Sequence, residues 1–331
     1  MKNNLPESIN SIYDAMVYAT AILENKNSNF QKTRTFIRST FDYPNEKLTF
    51  LENIKIRLLL IDTTYSTQMG RRLYGIDELA EKIEEVSKKG CDNIKNYTDY
   101  DKNFVKKLDD YIKYVTCPEK QSDDNPINDL FKAKYGMRKD GQDEAAAARS
   151  LISKYSYYVS KYNFPIEDSL VRNNTNNILK YFEIKKTNND EPLQLKEKST
   201  NLVKELIIIC TELKKVLNIK NKNIFDEFDH LVWSYGKIKK GSLSVFVSKE
   251  NYEKITKFLE IESLLTERKR ELKEKNPNAS VPNDLADTII KKEIQEPNKL
   301  EHMLSENWVS ANLVKFINFC FKCEQITDNS K

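Results

Sequence analysis

Residues 143–182 read DEAAAARSLISKYSYYVSKYNFPIEDSLVRNNTNNILKYF, and their pattern decides the fold. Leu151, Tyr155, Tyr158 and Tyr162 recur at the three-to-four-residue period of an amphipathic helix, so residues 143–162 read as one helix. Pro165 breaks the pattern, and Asp168 then stands where an N-cap would open a second helix over residues 169–182. Carboxylates thus gather at a helix mouth just behind a row of tyrosines. The plain reading is a cap; the chemical reading is a catalytic aspartate aimed at a sugar.

Outward from this stretch the helical period continues. Residues 8–24 read as a helix followed by a polar loop, and NEKLTFLENIKIRLLLIDTTYSTQM (45–69) as a buried apolar helix closing in a polar cluster. GIDELAEKIEEVSKKG (75–90) carries an Asp near its start and a Gly after its end, both boundary signals. A short helix is expected over 101–115, a loop over 117–129, and a linker over 185–199. Leu202, Leu206, Ile209, Leu213 and Leu217 lie in register on the next helix, and FDEFDHLVWSYGK (225–237) follows. Beyond residue 241 the chain changes character: a charged helix over 249–273, a loop over 276–284 and a closing helical segment over 297–323.

Composition agrees with an all-α fold. Only 7 Gly and 9 Pro occur in 331 residues, too few for a sandwich, a propeller or a disulfide scaffold. The 54 basic and 50 acidic side chains leave a net charge of +4, which permits nucleic-acid binding through a local patch without arguing for it. Five scattered cysteines and the lack of an apolar leader point to a reduced, cytoplasmic setting. No apolar run is long enough to span a bilayer, so no membrane association is expected. Cys320 and Cys323 form a lone CxxC, short of the four ligands of a structural zinc site, and read as helix-face cysteines. No metal or other cofactor is expected. A phosphate loop, an HExxH pair and a GxSxG elbow are all absent, and two histidines leave carboxylate, lysine or tyrosine chemistry.

Three segments form a candidate site. The apolar helix ends in Asp62, Thr63, Thr64, Tyr65, Ser66, Thr67 and Gln68, followed by Arg71 and Arg72. The tyrosine-rich helix runs into FPIEDSLVR, and the third segment carries Asp226, Asp229, His230, Trp233, Tyr235 and Lys237.

The order of these pieces resembles the helix-hairpin-helix DNA glycosylase superfamily over roughly residues 45 to 240. LLLIDTTYSTQ is similar to the family's apolar helix with a small-polar-Gln ending. FPIEDSLVR is similar to its Pro-Val-Asp-Thr-His-Val-Arg motif with one extra residue, through Pro165, Ile166, Asp168, Ser169, Val171 and Arg172. The resemblance implies a two-lobed glycosylase-like body (1–240) with a helical C-terminal extension (241–331), and Asp168 as the catalytic residue. The hairpin signature Leu-Pro-Gly-Val-Gly is missing, its place taken by KYGMRKDGQDEAAAA. The lysine of bifunctional members falls at Ser150 or Arg149, with Lys154 about one turn away. An amine so displaced is expected to miss the anomeric carbon, which implies a monofunctional enzyme.

The chemistry is consistent with that expectation. Breaking an N-glycosidic bond develops positive charge on the sugar, which a fixed carboxylate stabilises, and a helix N-terminus favours the anion at Asp168. A flipped base needs stacking and edge contacts, for which Tyr65, Gln68, Tyr155, Tyr158 and Trp233 are suited. Arg71, Arg72, Arg138 and Lys139 are candidates for phosphate contacts, with Arg172 of the motif. The expected partner is DNA, and the C-terminal extension is free to bind a protein. Two other classes stand beside this one. Asp168 followed by Glu183-Ile184-Lys185 has the form of a Mg²⁺-dependent restriction nuclease, and a helical DNA- or protein-binding subunit without catalysis would need none of this chemistry.

Overall fold

Helices alone carry the architecture. The computed structural model describes residues 11–24, 29–90, 97–117, 125–137, 145–196, 201–219, 223–239 and 270–277. Among these residues there are ten α-helices up to residue 239, a further helical stretch over 270–275, one short 3₁₀ turn and no strand. Antiparallel bridges occur singly, at Leu73–Met137, Tyr135–Ala146 and Lys185–Pro192.

The first helix, α1 (Ile12–Leu23), opens with a capping box in which Ser11 accepts from the Asp14 backbone and Asp14 reaches back. α2 (Asn29–Asp42) follows, where the sequence reads as a polar loop. Its inward stripe is the partly buried Phe30 with the buried Arg34, Ile37 and Phe41, a helical spacing hidden because an arginine takes a core position. α3 (Phe50–Tyr65) is capped by Thr49 and Glu52, and α4 (Gly75–Lys88) shows the expected one-sided apolar face. α5 (Tyr97–Thr116) is longer than its periodicity suggests. α6 (Pro126–Lys132) lies in the expected loop, capped by Asn125 with a proline in its first turn.

α7 (Arg149–Val159) begins later than its alanine run implies, because Ala146 is extended and bridged to Tyr135. From Leu151 to Val159 every residue of α7 is buried, so beyond its first residues the helix runs through the core. α8 (Ser169–Tyr181) starts at the Asp168 cap, as expected. α9 (Leu202–Val216) and α10 (Ile224–Lys239) complete the set. Of the C-terminal extension, residues 270–275 are helical, with Arg270 3.7 Å from Glu274, and the helix has ended by 276, where a loop is expected; Cys320, Cys323 and the remainder lie outside the described residues.

Two packings share one core. α1 lies on α10, which also packs on α8 and α9, while α3 joins α2, α4 and α7. The α10–α8 approach is close enough that a β-carbon at Gly236 would stand 2.7 Å from Asn174 Nδ2. Between the packings lies a buried ionic cluster. Arg34 donates to Asp226 at 2.7 Å, sits 3.6 Å over the Tyr162 ring, and reaches Glu24 at 3.4 Å; the Tyr157 hydroxyl donates to Asp226.

His230 is fully buried beside this cluster, 3.2 Å from the Thr20 hydroxyl. Its Nε2 stands 3.3 Å from Asp226 but makes no hydrogen bond, so the contact is one of proximity. Burial pushes the imidazole down to about 4, against the opposing pull of Asp226. The folded protein therefore keeps His230 neutral, and its contribution is complete above the ordinary histidine range. That contribution is lost as pH falls from about 6.5 towards 4, on the order of 3 kcal/mol in all. Urea unfolding at pH 7 and pH 4.5 should show this loss, and His230→Gln should flatten it; an equal acid loss in the variant would place its origin elsewhere.

Candidate functional site

A cleft of about 660 Å³ opens where the two packings meet. α2 contributes Phe30 and Thr33, the end of α3 contributes Thr64, Tyr65, Ser66, Thr67 and Gln68, and α7 contributes Ser150 and Lys154. The mouth of α8 adds Asp168, Ser169 and Leu170, and α10 adds Trp233 and Lys237.

The wall after α3 is built around Asp62. Its carboxylate accepts from the Met69 and Gly70 backbone N–H groups, each at 2.9 Å, and from the Thr67 hydroxyl. A β-carbon at Gly70 would stand 2.9 Å from Asp62 Oδ2, so glycine admits this approach. The wrap places Ser66 and Gln68 in left-handed conformations, with φ of 51° and 65°. Such backbone is strained for residues other than glycine and concentrates at functional sites. Gln68 is exposed on the cleft as a result.

Asp168 divides its two oxygens between fold and cleft. Oδ1 accepts from Val171 N at 2.9 Å as the α8 cap, while Oδ2 lies 3.5 Å from Lys154 Nζ. The residue before it is anchored as well: Glu167 N donates to Ser153 Oγ at 2.9 Å, which fastens the turn to α7. Lys154 Nζ donates to Ser150 Oγ at 2.8 Å and sits 5.4 Å from the Tyr65 ring centroid. Helical side chains lean towards the N-terminus, so the long Lys154 stem reaches back one turn and delivers its amine beside Ser150 and Asp168.

The aromatic residues separate into two groups. Tyr65 and Trp233 line the cleft, Trp233 with Phe30 at 4.8 Å between ring centroids and Lys237 Nζ at 5.3 Å. Tyr155 does not line it: the ring packs in the core against Phe41 and Phe104, near the buried Arg57. Tyr158 is also buried, and its hydroxyl meets that of Tyr65 at 2.6 Å, which braces the Tyr65 ring from behind. Burial pushes the Tyr65 hydroxyl up to about 12, so it remains a hydrogen-bonding phenol.

Asp229 lies within electrostatic reach of this site and is itself buried. Burial, reinforced by Asp168 and Asp226, pushes its carboxyl well above the usual range despite Lys154 and Arg34. Asp168 is the carboxyl group that lines the cleft, with the buried Asp229 behind it.

Of the residues expected at phosphates, Arg71 is exposed just beyond Gln68, and Arg72 is half-buried at the end of the 3₁₀ turn (Met69–Arg71). Arg172 is exposed one turn into α8 and lies 3.7 Å from Glu167. Arg138 and Lys139 lie outside the described residues. Phe30 and Thr33 are the lining residues that sequence reasoning missed, because α2 itself was hidden; the Phe30–Ile37–Phe41 spacing was the available signal.

The nuclease arrangement is not assembled. Asp168 caps the start of α8 and Glu183 follows its end, so the 13-residue helix holds them apart by roughly 20 Å. Lys185 lies in an isolated bridge rather than a strand. Among the described residues no three His, Cys, Asp or Glu side chains gather as a metal site, and no helix is long and apolar enough to cross a membrane. No family model, curated protein or solved structure matches this chain.

Proposed function

We propose that the protein is a DNA-base N-glycosylase with a two-lobed body like that of the helix-hairpin-helix superfamily, acting in DNA repair or in defence against foreign DNA. The observation that carries this reading is Asp168: a helix-capping carboxylate with one oxygen turned to a cleft whose walls hold Tyr65, Trp233 and the Gln68 amide. A target base leaves the duplex and enters the cleft, where Tyr65 and Trp233 contact its faces and Gln68 reads an edge. Asp168 Oδ2 faces the sugar and stabilises the positive charge that grows as the glycosidic bond lengthens. The base departs with the bonding electron pair and takes up a proton, water adds to the anomeric carbon and gives one up, and an abasic sugar remains.

Lys154 acts here as the charge partner of Asp168. Its ammonium is engaged by Ser150 and Asp168, so it holds the carboxylate in place rather than attacking the sugar. The enzyme is thus monofunctional and leaves the strand intact.

The test is product analysis on DNA carrying varied damaged and modified bases, with EDTA present. Alkali-labile sites without direct strand breaks are expected. Breaks that require Mg²⁺ would favour a nuclease, and no product on any DNA would leave a binding subunit.

Binding should weaken steeply with salt if Arg71 and Arg72 meet phosphates, since each contact releases a counterion. Arg71→Ala with Arg72→Ala is expected to reduce the salt slope by about one to two. An unchanged slope would turn those arginines away from DNA.

A further inference from the structure

Lys237 is the charged group in the cleft that the proposed reaction does not use. It stands on the last turn of α10, one turn after Trp233, with its ammonium 5.3 Å from the Trp233 ring centroid. Lys154 spends its charge on Asp168, but Lys237 has no carboxylate partner among the described residues. Both aromatic walls therefore already hold a cation, Lys154 over Tyr65 and Lys237 over Trp233. The remaining polar lining is hydroxyl and amide: Thr33, Thr64, Ser66, Thr67 and Gln68.

We infer that Lys237 makes this cleft selective for bases bearing an exocyclic carbonyl oxygen and against cationic, N-alkylated bases. The inference rests on the base-pocket reading above and adds the substrate class. An aromatic wall with a free face would attract a cationic base. The Lys154 ammonium is balanced by Asp168, but the Trp233 ring faces the Lys237 ammonium, so a second cation at that ring meets repulsion where it would otherwise gain. An oxygen acceptor placed beside Lys237 instead gains a charge-assisted hydrogen bond. Like charges a few ångströms apart at a partly exposed site correspond to about two orders of magnitude in affinity.

The chain has two tryptophans, Trp233 and Trp308. A Trp308→Phe background leaves Trp233 as the fluorescent reporter, so the inference can be tested without catalysis. The matched probes are inosine, with a carbonyl oxygen at the six-position, and N1-methyladenosine, cationic at neutral pH. Inosine should quench Trp233 at concentrations at least about tenfold lower than N1-methyladenosine. Lys237→Gln should narrow that preference and Lys237→Glu should reverse it. Two variants of different charge guard against a simple folding defect, which would abolish quenching by both probes. Equal quenching, tighter binding of the cation, or a preference that survives Lys237→Glu would overturn the inference while leaving the base pocket standing. No quenching by either probe in the native-lysine protein would overturn the pocket and the inference together.

Discussion

Asp168→Asn is expected to lower base excision by on the order of 10²–10³-fold while leaving DNA binding close to native. The amide preserves the side chain's shape and can still accept from Val171 N, so α8 keeps its cap. What it loses is the charge opposite the developing sugar cation, an interaction that strengthens in the transition state and hence appears in kcat rather than KM. The Lys154 ammonium would also lose its anionic partner at 3.5 Å, leaving a positive group beside a positive transition state. Single-turnover kinetics alongside a binding titration separate the two effects. Excision near the native rate in this variant would remove Asp168 from the chemistry.

The largest effect on stability is expected from Asp226→Ala. Asp226 accepts from Arg34 at 2.7 Å and from the Tyr157 hydroxyl, and all three groups are buried. Removing it leaves the Arg34 guanidinium with Glu24, whose side chain is half exposed, and strips Tyr157 of its acceptor. Breaking a buried pair from one side costs about 3–5 kcal/mol, because the remaining charge is not re-solvated. Replacing both partners, Arg34→Met with Asp226→Leu, should recover much of that loss, since no orphaned charge is left. Urea unfolding of the two single variants and the double variant tests this. A loss under about 1 kcal/mol in Asp226→Ala would mean that solvent reaches Arg34 and that the two packings are not joined through this cluster.

Much of the cleft lining could be read along the chain, for identifiable reasons. Asp62 through Gln68 follow a strongly apolar helix, and so many short polar side chains at its end need partners; the structure folds them around Asp62 and along the cleft. Asp168 was legible because an N-cap has a local signature that tertiary packing seldom changes. The tyrosines of α7 were harder. A helix whose residues are almost all buried has too small a polar face to set the direction of its apolar residues, so periodicity could not separate Tyr155 and Tyr158 in the core from the cleft. The usable signal was the reverse one: Ser150 and Lys154, polar and four residues apart on that helix, mark the face that lines the cavity.

Two further differences come from long-range pairing. α2 looked like a loop because Arg34 occupies a core position, which its buried partner Asp226, far along the chain, helps make tolerable. The alanine run before α7 has high helix propensity, yet Ala146 is held extended by its bridge to Tyr135. Lys154 shows a third limit. Counting residues fixes where a Cα lies, whereas a four-carbon stem can bring its amine a full turn back towards the helix start.

The central claim is that the cleft releases a base from DNA by cleavage at the sugar. The most direct measurement is a mass balance: incubate DNA with the protein in EDTA, quantify free base by mass spectrometry, and count aldehyde-reactive abasic sites in the same sample. The account predicts free base and abasic sites in equal amounts, rising together with time and both slowed on the order of 10²–10³-fold in Asp168→Asn. Nucleotides or cut strands without free base, or no released base from any modified DNA, would contradict it.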